Sequence, residues 1–329
     1  MIKIAQVGCG YWGKNLARNF FEIGNLAAVV DDNPAVAADM AAKFGVEARG
    51  FDEILADESI DGIALATPAE LHGAQAARIM EAGKHCYVEK PLALSVADAE
   101  QLISLARKHD RTLMVGHLLQ YHPVFLKCLQ MVREGAVGAL RYIYSNRMSL
   151  GKFRVEENVL WSFAPHDISM ILAIAAEEPV AVTAQGMDYV TPGVADWCTA
   201  QMSFASGLKA HVQVSWLHPF KEQRLVIIGE KGSLVFEDSQ PDWHMKLAFY
   251  PHQIQETEIS GQSVPIKGEL SYEIVPHSEP LKNECQHFVD AIAGKCSPRT
   301  SGEEGLAVLR VLAAAEVCLT ENILKQKES

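Results

Sequence analysis

Six residues near the start, Gly8-Cys9-Gly10-Tyr11-Trp12-Gly13, constrain the fold more than any other part of the chain. They lie between an apolar run at residues 2–7 and a stretch of helical periodicity at residues 12–23. A GxGxxG at such a junction serves a strand-turn-helix unit. Gly8 permits the tight turn, Gly10 lets backbone approach a pyrophosphate, and Gly13 lets helix and strand pack closely. The helix N-terminus then presents its unpaired N–H groups to the anion. Tyr11 and Trp12 share the turn and are expected on the cofactor side with the glycines. Asp31 ends the next apolar run 23 residues after Gly8, near the roughly 20 expected of a carboxylate that binds an adenosine ribose. Asp32 follows where a site for a 2′-phosphate would need a cation, so the expected cofactor is NAD.

The alternation continues to about residue 120. Apolar, β-rich runs at 2–7, 27–31, 62–66, 85–88 and 112–115 are separated by helical stretches at 12–23, 35–44, 71–82 and 96–109. Apolar strands separated by helices signify a parallel sheet covered on both faces. Gly24, Gly45 and Gly83 follow helical runs as stops, and Ser95 with Asp98 makes a capping box. The expected fold class is α/β, with an N-terminal, doubly wound Rossmann domain over residues 1–120. Past it, helices at 123–133 and 167–176 accompany strand-like runs at 140–149, 180–187, 197–204, 208–216, 224–229 and 233–236. Many strands with few helices between them predict an α+β domain with an open, mostly antiparallel sheet over residues 121–329. Residues 241–280 hold five of the 14 prolines and show no readable order. Helical runs at 281–293 and 302–324 close the chain and could pack back on the first domain.

Charge and cysteine usage narrow the function. Lys plus Arg number 29 and Asp plus Glu 41, a net charge of −12 that repels phosphate polymers and anionic membranes. Neither is an expected partner. The seven cysteines stand singly without a CxxC pair, which suits neither a disulfide framework nor a zinc site. No metal is expected, and a reducing cytoplasm is. Four residues between Lys3 and Gly8 leave no room for the apolar core of a signal peptide. Arg310 and Glu316 break the apolar stretch at 306–319, short of the roughly 18 residues a membrane helix needs.

Chemistry-bearing residues gather at strand ends. Glu89-Lys90-Pro91 follows the run HCYV at the carboxyl edge, where open α/β sheets bind ligands. Desolvation there can lower a lysine's pKa enough for proton exchange, although composition alone reads Lys90 as an exposed loop lysine. Thr67, Pro68 and His72 follow the 62–66 run and His117 follows the last, all on the same edge, with the histidines read as supporting groups. His166, in Trp161-Ser162-Phe163-Ala164-Pro165-His166-Asp167, enters the helix of the second domain. It reads equally as a general base for a substrate hydroxyl and as a helix-packing residue. Arg141, Arg147, Lys152 and Arg154 form a cationic segment with no acid between them. They read as an anion clamp or as a solvated edge strand.

GCGYWG, ATPAELH, EKP, VGH, PHDIS and the ending HFVDAIAGKCSPRTSGEEGLAVL together resemble the Gfo/Idh/MocA family of NAD(P)-dependent sugar and polyol oxidoreductases over nearly the whole chain. The resemblance implies a Rossmann domain followed by a domain whose open sheet mediates oligomer contacts. It implies a catalytic lysine at Lys90, with a frequently cis bond to Pro91, and a catalytic histidine at His166. Thr67, Pro68, His72, Glu89, Lys90 and His117 then join the glycine loop and Asp31 on the cofactor side. Lys90, Arg147, Arg154, Asn158 and His166 are expected to bind substrate. Two positions depart from the common pattern: Ser162 stands where many members carry Asp, and Gln120 where many carry Arg. GYWGKNLARNF, RMSLGKFRVEENVLW and FAPHDIS look most like the nucleotide-sugar branch, which includes 3-dehydrogenases of UDP-N-acetylglucosaminuronate. The expected activity is NAD-dependent oxidation of a ring hydroxyl, C3 favoured, on a nucleotide-linked sugar or uronate by a homodimer or homotetramer. A free polyol such as inositol is the alternative substrate, and a non-catalytic NAD-binding sensor the alternative function.

Overall fold

In a computed structural model, residues 1–257 and 261–328 are described, and their contacts divide the chain into two compact units. The first comprises residues 1–121 and 278–310, the second residues 122–277 and 311–329. The expected boundary assigned residues 278–329 to the second domain, with the closing helices able to pack back on the first. Residues 278–310 belong to the first because their apolar face completes its core.

The first unit alternates β1 (Ile4–Val7), α1 (Gly13–Glu22), β2 (Leu26–Val30), α2 (Pro34–Phe44), β3 (Glu47–Ala48), α3 (Phe51–Ala56), β4 (Gly62–Leu65), α4 (Ala69–Glu81), β5 (His85–Glu89), α5 (Val96–His109) and β6 (Leu113–Gly116). Its strands form one parallel sheet in the order β3-β2-β1-β4-β5-β6, with the reversal between β1 and β4. Every residue of β1, β4 and β6 is buried, as a sheet with both faces covered requires. Residues 47–48 and 51–56 are too short to show periodicity, and sequence reasoning missed both. Asn33 caps α2 through Ala35 N–H at 3.0 Å, and Ser95 caps α5 through Asp98 N–H at 3.1 Å.

In the second unit, α6 (Pro123–Arg133), β7 (Leu140–Leu150) and α7 (Val159–Ala175) precede a run of strands. These are β8 (Ala181–Met187), β9 (Trp197–Ser203), β10 (Lys209–Ser215), β11 (Leu217–Gly229), β12 (Ser233–Glu237), β13 (Leu247–Tyr250), β14 (Gln253–Glu256), β15 (Ser263–Ile266) and β16 (Ser271–Tyr272). The large sheet runs β16-β13-β12-β11-β7-β10-β9-β8 and is antiparallel except for β7 against β10. α7 packs on β7, β9 and β10, burying Ile143, Cys198, Ala200, Ala210 and Val212. β14 and β15 pair only with each other. Within the proline-rich segment, β13 pairs with β12 and β16 as part of the large sheet.

The chain closes with α8 (Pro280–Ile292) and α9 (Gly302–Glu328). Phe288 of α8 is fully buried and meets Phe20 and Tyr87 edge-on, at ring-centroid distances of 6.4 and 5.8 Å. Thr300 accepts from Val115 N–H at 2.8 Å and donates its hydroxyl to Val115 O at 2.7 Å, fastening the returning segment to β6. Phe288→Ala should therefore destabilise the parallel-sheet unit by about 3–5 kcal/mol, measured by urea unfolding with NAD absent.

Candidate active site

The glycine turn is held by contacts that exclude side chains. Gly8 has φ +80°, and a Cβ there would lie 2.6 Å from Ala66 O at the end of β4. One on Gly13 would lie 1.8 Å from Gly8 O, so helix and turn touch backbone to backbone. Gly10 differs, with no atom within 4 Å of its hypothetical Cβ. Buried Gln6 braces the turn from below by donating to Gly8 O at 3.0 Å. Asp31 fastens it from β2, its Oδ2 accepting from Cys9 N–H at 2.7 Å. The open space over Gly10, the start of α1 and the carboxylate at the end of β2 are the features a dinucleotide needs. The residues present fit NAD. Tyr11 projects outward, 86% exposed, whereas the Trp12 indole turns inward to donate to Glu89.

Lys90 follows β5 at the same carboxyl edge, and its bond to Pro91 is cis. Two neighbours hold the backbone on either side of it. Glu89 Oε1 accepts from the Trp12 indole and from the Tyr87 hydroxyl, the latter at 3.1 Å. Burial pushes this carboxyl up to about 6, opposed by those two donors and by Lys90. On the other side, Pro91 O lies 2.7 Å from His72 Nδ1, while His72 Nε2 lies 2.9 Å from Thr67 O. Both ring nitrogens lie against main-chain carbonyls, so His72 packs between the Lys90 turn and the end of β4. Burial holds its pKa below the ordinary histidine value. Thr67 donates to Gln75 Oε1 at 2.7 Å, and Pro68 precedes α4. His117 Nδ1 lies 2.6 Å from Glu304 Oε2, while Glu304 Oε1 accepts from Gln120 at 3.0 Å. The imidazole and Gln120 are thus tied together by a carboxylate of α9.

In the second unit, α7 begins eight residues earlier than the sequence suggested (167 − 159 = 8). Asn158 is its cap, accepting from Trp161 N–H at 3.2 Å and donating to Glu316 at 2.8 Å. Its amide thus serves the start of α7, the structural role these contacts give it. Pro165 and partly exposed His166 lie within the helix, not at its entrance. Arg147 requires a second correction. Alternation along β7 turns Ile143, Ser145 and Arg147 toward α7, where the guanidinium meets Asp167 at 2.5 Å. Ser145 also donates to Asp167 at 2.5 Å, and Gln223 accepts from Arg147 Nη1 at 3.0 Å. Arg147, 9% exposed, is an internal counter-ion and not an anion clamp. Arg141 pairs with Glu230 at 3.6 Å and Arg154 with Glu157, both on the surface. Of these two, Arg154 lies beside the entry to α7.

Sequence reasoning missed Asp167, Tyr87, Glu284 and Glu304. The signal for Asp167 was present: an acid inside the apolar stretch SFAPHDISMILAIA must find a partner if buried. Among the described residues, no group of three or more His, Cys, Asp or Glu could hold a metal ion, and no helix is long and apolar enough to cross a membrane.

Comparison with known proteins agrees with this geometry. Residues 2–117 match the oxidoreductase family with an NAD-binding Rossmann fold, GFO/IDH/MocA, and residues 125–235 match the C-terminal domain of the same family. UDP-N-acetylglucosamine 3-dehydrogenase of Acidithiobacillus ferrooxidans is 30% identical over 95% of each chain. Its solved structure superposes with a TM-score of 0.84, at 27% identity and covering 98% of each chain. Inositol 2-dehydrogenase of Rhizobium meliloti is 25% identical over 95% of this chain and 96% of its own.

Two outcomes follow from the packing. Gly10→Ala should leave the melting temperature unchanged while weakening NAD binding, whereas Gly13→Ala should reduce both; calorimetric titration and melting curves separate them. Arg147→Met strands Asp167 in the interior and should cost about 3–5 kcal/mol of stability, read from urea unfolding. Its effect on the KM for substrate should be small where the protein remains folded.

Proposed function

The chain belongs to the GFO/IDH/MocA family of NAD-binding oxidoreductases, and from that premise we propose that its substrate is a nucleotide-linked amino sugar oxidised at a ring hydroxyl, C3 favoured. It is an NAD-dependent dehydrogenase acting on CH–OH groups. The observation that carries the choice of sugar is the likeness, along both chains, to the Acidithiobacillus 3-dehydrogenase.

The glycine turn and the start of α1 hold the pyrophosphate, and Asp31 holds the adenosine ribose. NAD, when bound, accepts the hydride from the carbon bearing the hydroxyl. By the family resemblance, His166 is the base for a substrate hydroxyl's proton and Lys90 the ammonium that polarises a substrate oxygen. Ser162 cannot act as a carboxylate base, which leaves the proton to these two groups. Arg154 grips the substrate's anionic portion, since an exposed pair such as Arg154 with Glu157 is weak enough to be exchanged. The free thiols support a reducing cytoplasm, and the face of the second unit's sheet carrying Tyr142, Tyr144 and His211 supports assembly into a homo-oligomer.

With NAD present, UDP-N-acetylglucosamine or its uronate should generate NADH absorbance far faster than myo-inositol. A preference for inositol would transfer the assignment to free polyols. Lys90→Ala and His166→Ala should each lower kcat on the order of 100- to 10,000-fold. NAD binding without turnover across a broad sugar panel would instead indicate a sensor.

A further inference from the structure

Glu89 has an environment that its neighbourhood to the lysine does not by itself require. Its carboxyl rests against Gly116 of β6, where a Cβ would fall 2.8 Å from Oε2 and 2.7 Å from the Tyr87 hydroxyl. The glycine thus leaves a seat for an acid. In that seat Oε1 accepts from Trp12, the residue at the start of α1, and Oε2 faces the Lys90 main-chain N–H at 3.3 Å. One side chain therefore touches the turn expected to carry the pyrophosphate and the backbone of the lysine expected to meet the substrate. We propose that Glu89 is a positioning residue whose hydrogen bond to Trp12 couples the glycine turn to the aim and charge of Lys90. The proposal rests on the dehydrogenase reading for the roles of that turn and that lysine.

Electrostatics work in the same direction. The ionised carboxylate favours the Lys90 ammonium, and Lys90 reciprocally favours the carboxylate. The groups facing Glu89 are Trp12 from α1, Tyr87 and Lys90 from β5 and its end, and Glu284 and Cys285 from α8. Glu284 is fully buried and has its pKa pushed well up, by burial first and by Glu89 second. Protonation of Glu89 as pH falls through about 6 releases Lys90 from its counter-charge. Because burial raises this pKa above the ordinary 4.5, the contribution of Glu89 to stability is full below 4.5 and is lost as pH rises through about 6. Keeping the carboxylate ionised at neutral pH thus depends on the indole and phenol donors.

The test uses infrared difference titration of the full chain without nucleotide, with the Glu89 band assigned by its loss in Glu89→Gln. In the wild type the carboxyl should titrate near 6, and Trp12→Phe, which keeps a ring but removes the N–H, should move the midpoint upward. Gly116→Ala should do the same by pushing the carboxyl from its seat, with circular dichroism checking that each variant is folded. In turnover, Glu89→Gln, whose amide oxygen still accepts from Trp12, should lower kcat on the order of ten- to a hundredfold with the KM for NAD little changed. Trp12→Phe should move both. An unshifted Glu89 midpoint in both Trp12→Phe and Gly116→Ala overturns the coupling, whatever sugar is oxidised. A shifted midpoint in a protein that oxidises no sugar upholds the coupling and rejects the dehydrogenase reading.

Discussion

Carboxylates removed from water organise both units of this protein. A buried charge without a partner costs several kcal/mol, so each such group fixes the position of whatever compensates it. Asp167 fixes Arg147 and Ser145, and through them the seating of α7 on β7. Glu304 fixes His117 and Gln120, and with them the returning α9 against the end of β6. Glu89 fixes Trp12 and the main chain at Lys90. The apolar core gives the elements somewhere to pack, while these pairings determine which rotation and register they adopt.

Much of the first unit was legible because its rules are local. Four buried residues at β1, a turn that admits no Cβ and an acid at the end of β2 announce themselves within about thirty positions. Asp31 stands out by spacing alone, and the structure shows it fastening the turn at Cys9 N–H. Residues 47–48 and 51–56 escaped because one turn of helix and a two-residue edge strand leave no period to detect. The closing helices were readable as elements able to pack back on the first unit, but not as contributors to its core. Phe288 looks like any core aromatic until the three-dimensional fold shows which core it fills.

The site's cations illustrate the limit more sharply. Arg141, Arg147, Lys152 and Arg154 are equivalent by composition, yet Arg147 turns inward to Asp167 while Arg141 and Arg154 pair with acids on the surface. Strand parity would have separated Arg147 from even-numbered positions, but not from Arg141, with which it shares a face. What separates those two is the presence of α7 over one end of the strand, a long-range fact. The same holds for Asn158, whose value as a cap became visible only when α7 was found to begin at Val159. A helix containing Pro165 reads, in sequence, as one that starts after it.

The serine at position 162 can be weighed physically. An acid four residues before His166 is the common source of negative charge for an imidazolium, and Asp167 is the adjacent acid that could be thought to replace it. Its two oxygens already accept from Arg147 and Ser145, and its side chain is nearly inaccessible. Recruiting it would break a bidentate internal ion pair and leave a guanidinium stranded, a cost larger than the benefit of one weakly placed counter-charge. The chain therefore lacks an available carboxylate on this part of α7.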